Sequence, residues 1–521
     1  MENNFQNEHI KTESNGLGIL KTIIIFLLMF LQIVGFILLR LYVFSVFNGF
    51  LLFSIIMTLF TCIHALSSDY NGQAKAMWIL FLLTCFSFGY IFYIFSSKKI
   101  MFRISHKKYN KILKKSENLQ KQIDTSKIEN AEVRIQCNYL YNAGRFETSL
   151  NSKTTYYSSG VEFFDAILFE LQKAKKFILI EFYIVSNGIL FNKIFNILKE
   201  KAEQGVEIKI IYDDIGCHRT LSRKTRKKIK KAGIELYSFN RLIPFINIAL
   251  NFRDHRKLVV VDGKVAFTGG ANIADEYINE KQLHGFWKDC GIKIEGQAVD
   301  NFTISILNQW EFINKKPIEY KNYLYKSKDF ESSGVVIPFV TGPNYNHSIA
   351  QNIYANEISN AKEKLYIMTP YFIPDETILN LLKNKAISGV DVRIIIPDIA
   401  DKKFVYTVTR NNAEKLIPYG IKVYTMNNSF VHSKVVLTEN SAIVGSINMD
   451  LRSFNQQFES AVFTSDQSTL GSIARDFDST FNLSNQITKK DFKRNKTGFR
   501  ILAGLFNLIS PTLPFTTIFL L

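Results

Sequence analysis

Long apolar runs occupy the first hundred residues of the chain. Three of them, at residues 22–39, 41–66 and 76–95, are each long enough to cross a bilayer as a helix. A cleaved signal peptide is not indicated, because further runs follow the first and no small-residue cleavage site stands out. The pattern predicts a membrane region over residues 1–98 with two or three spans, at about 20–40, 43–66 and 76–96.

After a lysine-rich connector at residues 99–132, segments typical of helices and strands alternate. An amphipathic helix, an apolar strand, a second helix stopped by Gly205 and a strand from Val206 follow in that order. The same order recurs later, where Gly389 stops the helix and Val390 begins the strand. This internal repeat predicts an α/β fold with two tandem units, at residues 133–328 and 329–492, whose sheets are covered by helices on both faces.

The last segment, residues 493–521, carries an apolar stripe that basic residues precede. Pro511 and Pro514 interrupt it, which argues against a fourth span. An amphipathic helix lying on the membrane surface is the first interpretation, and packing against the preceding domain is the alternative.

The net charge of the chain indicates the kind of partner that it binds. The 521 residues carry a formal net charge of +18, which indicates either nucleic acid or an acidic membrane surface as partner. The apolar runs favour the membrane, and no nucleic acid is expected. Because basic residues follow the third run closely while acidic residues precede the first, we expect the part after residue 98 on the cytoplasmic side of a multi-pass cell-membrane protein.

Metal and cofactor chemistry is not indicated. The five cysteines show no metal-ligand spacing, and no phosphate-binding loop of the G-x4-G-K-[ST] type is present. Asp213 and Asp214 resemble a metal-binding pair, but without a third acidic ligand they are better explained as a strand end that shapes a site. The basic run at residues 219–231 is either a solvated helix face or a contact for anionic lipid.

The strongest chemical signal is a motif that occurs twice. His255 and Lys257 are followed by Asp262, then Gly-Gly and Asn272. The second copy, of similar spacing, contains these residues: His432, Lys434, Glu439, Ser446 and Asn448. Positions i and i+2 of a strand share a face, so each copy presents an imidazole beside an ammonium. The duplication predicts one composite site for a phosphodiester, to which each copy contributes half.

The motif resembles the H-x-K-x4-D signature of the phospholipase D superfamily, whose two-domain members carry it twice. More narrowly, several segments are similar to bacterial cardiolipin synthases: residues 181–184, 212–216, 253–257, 287–289, 369–374, 450–454 and 510–511. The resemblance implies two tandem phospholipase D-like domains with pseudo-twofold symmetry, each a mixed sheet flanked by helices, after the transmembrane region.

The resemblance also implies roles for the histidines. One of His255 and His432 forms a covalent phosphohistidine, and the other acts as acid and then as base; we favour His255 as nucleophile. Imidazole suits both roles because its ordinary pKa lies near neutrality. Lys257 and Lys434 are expected to hold the phosphate oxygens.

Supporting roles follow from the same resemblance. Asn272 and Asn448 assist the lysines, Ser446 belongs to the same set, and Asp289 and Glu459 are candidates to accept the Nδ1–H of each imidazole. Asp262 completes its motif as a structural carboxylate. Glu439 departs from the aspartate usual in the family, and we expect activity to survive this change.

The predicted reaction joins two phosphatidylglycerol molecules into cardiolipin and releases glycerol, without a cofactor or metal. Phosphatidylglycerol, other anionic phospholipids and the bilayer are the expected partners. The alternatives are a hydrolytic phospholipase D, a phosphatidyltransferase for another alcohol, a membrane-anchored phosphodiesterase or nuclease, and a non-catalytic lipid-binding scaffold.

Overall fold

The computed structural model describes residues 50–68, 72–85, 89–96, 98–241, 252–325, 330, 332–345, 347–488 and 490–491, with scattered positions between residues 23 and 42. The predicted tail at 493–521 lies outside the described residues, and the first predicted span is described only at those scattered positions.

From residue 50 onward, the described α-helices before the first sheet are α1 (Phe50–Ser67), α2 (Gly72–Thr84), α3 (Gly89–Ser96), α4 (Lys98–Glu117) and α5 (Ala131–Gly144). The span predicted at 76–96 is therefore two shorter helices. They lie close together, since a Cβ on Gly89 would come 3.0 Å from the Cα of Leu82. Within the ranges that the structure describes, no helix meets the combined length and hydropathy needed to span a membrane.

The connector is part of the folded body. Helix α4 and the residues just after it pack on a helix of the first half through two polar contacts. Asn308 donates to Ser116 Oγ at 3.1 Å, and Gln120 donates to Asn301 Oδ1 at 2.7 Å. The polar, lysine-rich sequence of α4 thus covers the first half with one face and leaves lysines on the other.

The first half is built on a seven-stranded sheet of order β1-β8-β6-β5-β2-β3-β4. Its strands, with the separate β7, are β1 (Ser152–Tyr157), β2 (Phe177–Phe182), β3 (Glu207–Asp213), β4 (Glu235–Phe239), β5 (Lys257–Val261), β6 (Val265–Gly269), β7 (Phe286–Lys288) and β8 (Gly291–Gly296). Its helices are α6 (Gly160–Lys173), α7 (Ile189–Glu203), α8 (Arg223–Lys231) and α9 (Val299–Asn314). Every residue of β2 and β5 is buried, as expected for a sheet with two covered faces.

The second half repeats this plan with one added strand, in the order β9-β18-β16-β15-β10-β12-β13-β19. Its strands, with β11, β14 and β17 outside the main sheet, are β9 (Val336–Thr341), β10 (Lys364–Met368), β11 (Phe372–Ile373), β12 (Asp391–Pro397), β13 (Lys422–Met426), β14 (Ser429–Val431), β15 (Val435–Thr438), β16 (Ala442–Gly445), β17 (Met449–Asp450), β18 (Glu459–Thr464) and β19 (Ser484–Ile487). Its helices are α10 (Ile349–Asn360), α11 (Glu376–Ile387), α12 (Lys403–Glu414), α13 (Leu451–Asn455) and α14 (Gln467–Asn482).

The two sheets correspond strand for strand. In the first, β2 pairs parallel with β3 and antiparallel with β5; in the second, β10 pairs parallel with β12 and antiparallel with β15. The α/β fold with mixed sheets is thereby confirmed. The halves also touch, for example where Thr268 Oγ1 meets Ser460 Oγ at 2.9 Å.

Candidate active site

The first histidine stands at a crossing between the halves. It precedes β5, in a segment where Asp254 forms a parallel bridge with Phe458 of the other half. The His255 N–H donates to the Phe458 carbonyl at 2.8 Å. Because Glu459 follows Phe458, its carboxylate reaches the His255 ring, with Nδ1 3.0 and 2.9 Å from the two oxygens.

The second histidine is held by equivalent contacts, with the roles of the two halves exchanged. Strand β14 pairs parallel with β7 of the first half, and the His432 N–H donates to the Lys288 carbonyl at 2.7 Å. Asp289 follows Lys288, so its Oδ2 lies 2.7 Å from Nδ1 of His432. Each imidazole therefore meets a carboxylate from the opposite half. The sequence indicated both carboxylates but not this crossed pairing.

Both lysines are buried beside their histidines. Lys257 Nζ donates to the His255 carbonyl at 2.7 Å. Lys434 Nζ donates to the His432 carbonyl and also lies 2.8 Å from Nδ1 of that ring. Each ammonium thus lies beside its own histidine, although His255, His432 and Lys434 lie in the segments just before β5 and β15 and not within the predicted strands.

A cavity of about 320 Å³ opens onto the two rings. Both histidines and both motif asparagines line it, together with residues from each half: Tyr183, Ile184, Glu276, Tyr277, Leu283, His284, Trp287, Tyr371, Ile373, Asp401, Lys402, Phe404, Val405, Asp450, Arg452 and Gln457. Tyr183 lies against His255 with ring centroids 4.9 Å apart, and Trp287 lies 5.3 Å from His432. The composite site that the duplication predicts is therefore a real shared cavity.

Burial and the lysine charges hold the imidazoles neutral when the cavity is empty. Burial first, and then the charge of Lys434, lowers the pKa of His432 to about 3, with Asp289 opposing. Burial and the charges of Lys257 and Lys434 also hold the pKa of His255 well below its ordinary value. Burial also raises the pKa of Glu459 to about 8, with the charge of Lys257 opposing.

The lysines feel the same low-polarity surroundings. Burial lowers the pKa of Lys257 to about 7 and that of Lys434 to about 8, although nearby carboxylates oppose the shift. A bound phosphate anion would favour the charged form of both lysines, so substrate binding and lysine protonation support each other.

The two motif asparagines are held differently. Asn272 accepts from the Ile184 N–H at 3.2 Å and donates to the Tyr277 hydroxyl at 2.6 Å. Asn448 is buried, and among the described residues its Oδ1 has no hydrogen-bond partner. The second asparagine therefore keeps a polar atom available in the cavity.

The two motifs also differ at the residue after their first glycine, which is Gly270 in the first half and Ser446 in the second. Ser446 donates to Glu459 Oε2 at 2.5 Å. Its counterpart is Gly270, where an added Cβ would lie 2.1 Å from Asp289 Oδ1 and 2.8 Å from the His432 carbonyl. Asp289 therefore requires a glycine at position 270, whereas Glu459 accepts a hydrogen bond from the Ser446 hydroxyl.

The last acidic residues of the motifs lie at the far ends of β5 and β15, outside the cavity lining. Asp262 accepts from the backbone N–H groups of Lys175, Lys176 and Phe177 at 2.8, 2.8 and 2.9 Å. Glu439 accepts from the equivalent three groups, at 2.8, 3.3 and 3.3 Å, where the chain enters β10. At about 3.3 Å per residue, a strand separates each carboxylate from its histidine, so both act on the fold rather than on reacting groups.

Asp213 fixes the chain just before His255. Its buried carboxylate accepts from the N–H groups of Ile215 and Gly216 at 3.0 and 2.9 Å, and from that of Asp254 at 2.9 Å. Arg253 lies 3.4 Å from it. The described residues contain no cluster of three or more side chains suited to a metal.

Sequence reasoning missed Lys402 and Arg452, which line the cavity beyond the histidines. Arg452 lies in a segment quoted for the family resemblance, and that was the available signal. Lys402 has no motif around it, since only the fold of the second half brings it to the cavity.

Comparisons with known proteins agree with this geometry. A family model described as "Cardiolipin synthase, PLD-like domain" matches residues 167–283 and 354–482. A cardiolipin synthase of Alkalihalophilus pseudofirmus is 32% identical over 450 residues, covering 84% of this chain and 88% of that protein. A cardiolipin synthase of Geobacillus kaustophilus is 35% identical over 376 residues, or 72% and 75% of the two chains. The crystal structure of phosphatidylserine synthase from Haemophilus influenzae has the same fold, with a TM-score of 0.57 at 15% identity over 73% of this chain and all of that one.

Proposed function

The chain belongs to the cardiolipin synthase family with phospholipase D-like domains, and from that membership we propose that it makes cardiolipin from two phosphatidylglycerol molecules. One phosphatidylglycerol donates its phosphatidyl group to a headgroup hydroxyl of the other, and glycerol is released. The observation that carries this proposal is the pair of histidines that face one cavity, each held by a carboxylate from the opposite half.

In the first step, Nε2 of His255 attacks the donor phosphorus. The bond from phosphorus to the headgroup oxygen breaks, and His432, which carries a proton on each ring nitrogen once the anionic phosphate is bound, gives its Nε2 proton to the departing glycerol oxygen and becomes neutral. A phosphatidyl group remains bound to His255. In the second step, His432 takes a proton from the acceptor hydroxyl, whose oxygen attacks phosphorus. The phosphorus–nitrogen bond breaks, and both histidines return to their starting states.

The contacts of Nδ1 support this assignment of the two roles. Nδ1 of His255 meets only the carboxylate of Glu459, which stabilises the positive charge that the ring gains as Nε2 attacks. Nδ1 of His432 meets Asp289, whose carboxylate accepts the Nδ1 proton, and also the Lys434 ammonium, whose charge makes the protonated ring the stronger acid.

The lysines account for binding of the reacting phosphate. Lys257 and Lys434 supply two positive charges beside the rings in a water-poor site, where such charges stabilise the five-coordinate phosphorus strongly. The free amide oxygen of Asn448 is placed to accept from a substrate hydroxyl.

We also propose that the N-terminal region sits in the cell membrane, with both halves on the cytoplasmic side. Large apolar side chains of α1 and α2 point outward, among them Leu52, Phe60, Ile63 and Leu83, each more than half exposed. Contiguous apolar surface of this kind is unfavourable in water and suits contact with lipid. Protease treatment of sealed spheroplasts and inverted vesicles tests the orientation: cleavage within residues 133–492 is expected only in inverted vesicles.

The reaction is tested with purified protein and vesicles of phosphatidylglycerol alone. Cardiolipin and glycerol are expected in equal amounts, measured by mass spectrometry and an enzymatic glycerol assay. Phosphatidic acid as the main product would instead identify a hydrolase. No turnover of lipid, with cleavage of single-stranded DNA, would identify a nuclease.

A further inference from the structure

Two cations outside the motifs line the cavity, together with the acidic side chains of Glu276, Asp401 and Asp450. Beyond the two motifs, Lys402 and Arg452 also line it, at the starts of α12 and α13. Both side chains are half-buried. Burial lowers the pKa of Lys402, and the charge of Arg452 lowers it further while Asp401 opposes, so the two cations act on one region of the cavity.

These cations belong to one half only. Among the described residues of the first half, those that line the cavity include no lysine or arginine. The duplication therefore supplies two equal histidine–lysine pairs and, on the second-half wall alone, an additional basic pair. His432, the base for the acceptor hydroxyl, comes from the same half.

The reaction explains what such a pair would bind. The donor phosphate lies between the histidines, and the glycerol that leaves is neutral. Water, the competing acceptor, is also neutral. An acceptor phosphatidylglycerol is different, because it carries its own phosphate, a short glycerol unit away from the attacking hydroxyl. A second anion in the cavity would need compensating charge, since an unpaired buried anion is costly.

We propose that Lys402 and Arg452 bind the phosphate of the acceptor lipid and so select phosphatidylglycerol over neutral alcohols and water. This inference rests on the proposed function. Asp401, which accepts from the Tyr371 hydroxyl at 2.5 Å, keeps a carboxylate beside Lys402 and favours its charged form. The acceptor phosphate then lies on the second-half wall, with its headgroup hydroxyl directed to His432.

The test is a competition between acceptors. The donor is a lipid with deuterated acyl chains and p-nitrophenol as its headgroup, in vesicles that contain unlabelled phosphatidylglycerol, with glycerol added to the buffer. Mass spectrometry gives the ratio of labelled cardiolipin to labelled phosphatidylglycerol. Both products come from the same phosphatidyl-enzyme, so loss of folded protein cancels from the ratio.

Lys402→Met is expected to lower this ratio about tenfold or more, as for removal of a charged hydrogen bond. Arg452→Gln is expected to lower it in the same direction. The matched control is Lys403→Met, because Lys403 is the next residue, is exposed and does not line the cavity; its ratio should equal that of the wild type.

The possible results distinguish a missing acceptor subsite from a protein that does not make cardiolipin. A wild-type enzyme that forms no labelled cardiolipin would refute the proposed function. A wild-type enzyme that forms it, with an unchanged ratio in Lys402→Met, would refute the acceptor subsite alone. An equal fall in Lys403→Met would also refute it, since the effect would then follow general surface charge.

Discussion

His255 and His432 occupy equivalent positions in the two halves, yet their surroundings differ. His255 faces a glutamate that also receives a serine hydroxyl, and its lysine donates to the histidine carbonyl. His432 faces an aspartate opposite a glycine, and its lysine touches the ring itself. The duplicated backbone supplies two imidazoles at one phosphorus, while the unequal side chains give them different roles.

The largest expected difference is between the two histidine variants with a p-nitrophenol donor lipid. His255→Ala removes the nucleophile, so p-nitrophenol release should fall by about 10⁴-fold or more. His432→Ala should keep a burst of one equivalent, because p-nitrophenolate leaves without an acid, and should then stop before transfer. Stopped-flow absorbance measures both. A burst in His255→Ala and none in His432→Ala would reverse the assignment.

The crossed carboxylates give the next effect. Glu459→Gln and Asp289→Asn keep the shape of each contact but remove the negative charge, and kcat should fall by about 10²- to 10³-fold in both. Cardiolipin formation from phosphatidylglycerol is the measurement. If only one variant lost activity, a single carboxylate would suffice and the crossed arrangement would not be required for catalysis.

Exchanging the residues after the glycines tests the asymmetry sterically. Gly270→Ser would place a Cβ 2.1 Å from Asp289 Oδ1, so we expect a cost of about 1–3 kcal/mol and loss of most activity. Ser446→Gly removes one hydrogen bond to Glu459 and should cost about 1 kcal/mol. Thermal unfolding and initial rates measure both. Equal effects would show that the two sites are interchangeable.

The lowered pKa values of Lys257 and Lys434 predict that kcat/KM falls at alkaline pH. Both must be charged to bind phosphate, and they lose that charge as pH rises through their lowered pKa values of about 7 and about 8. Accordingly, kcat/KM, which reports the free enzyme, should fall about tenfold per pH unit between pH 7 and pH 8 and about a hundredfold per pH unit above pH 8. A profile that stays flat to pH 10, the ordinary lysine range, would contradict buried lysines that act on the phosphate.

The smallest effects are expected at the distal carboxylates. Asp262→Asn and Glu439→Gln weaken three backbone contacts each, at a cost of about 1–2 kcal/mol in unfolding free energy. Asp262 makes the shorter contacts, so its variant should be the less stable one. Chemical denaturation measures stability, and kcat should stay near the wild-type value. A large fall in kcat with unchanged stability would show that these carboxylates take part in catalysis.

The sequence predicted those features that local periodicity controls. The order of helices and strands and the glycine stops at Gly205 and Gly389 follow from local patterns. The fold of each half can therefore be predicted from the sequence pattern of that half alone.

Contacts between distant segments were not predictable in the same way. Strands β7 and β14 are short and separated by more than a hundred residues, so nothing local indicates that Asp289 meets His432. Lys402 reaches the cavity only because the second half folds around β12 and α12. Helix α2 ends at Thr84 and α3 begins at Gly89, within a continuous apolar run that hydropathy alone predicts as one span.

The central claim is that His255 forms the covalent intermediate in a cavity shared by both halves. It is tested most directly by quenching the enzyme in alkali within milliseconds of adding phosphatidylglycerol, and mapping the phosphatidyl group by peptide mass spectrometry. We predict modification of the peptide that contains His255, formed as fast as glycerol is released. Modification of His432, or of neither histidine while cardiolipin still forms, would contradict the account.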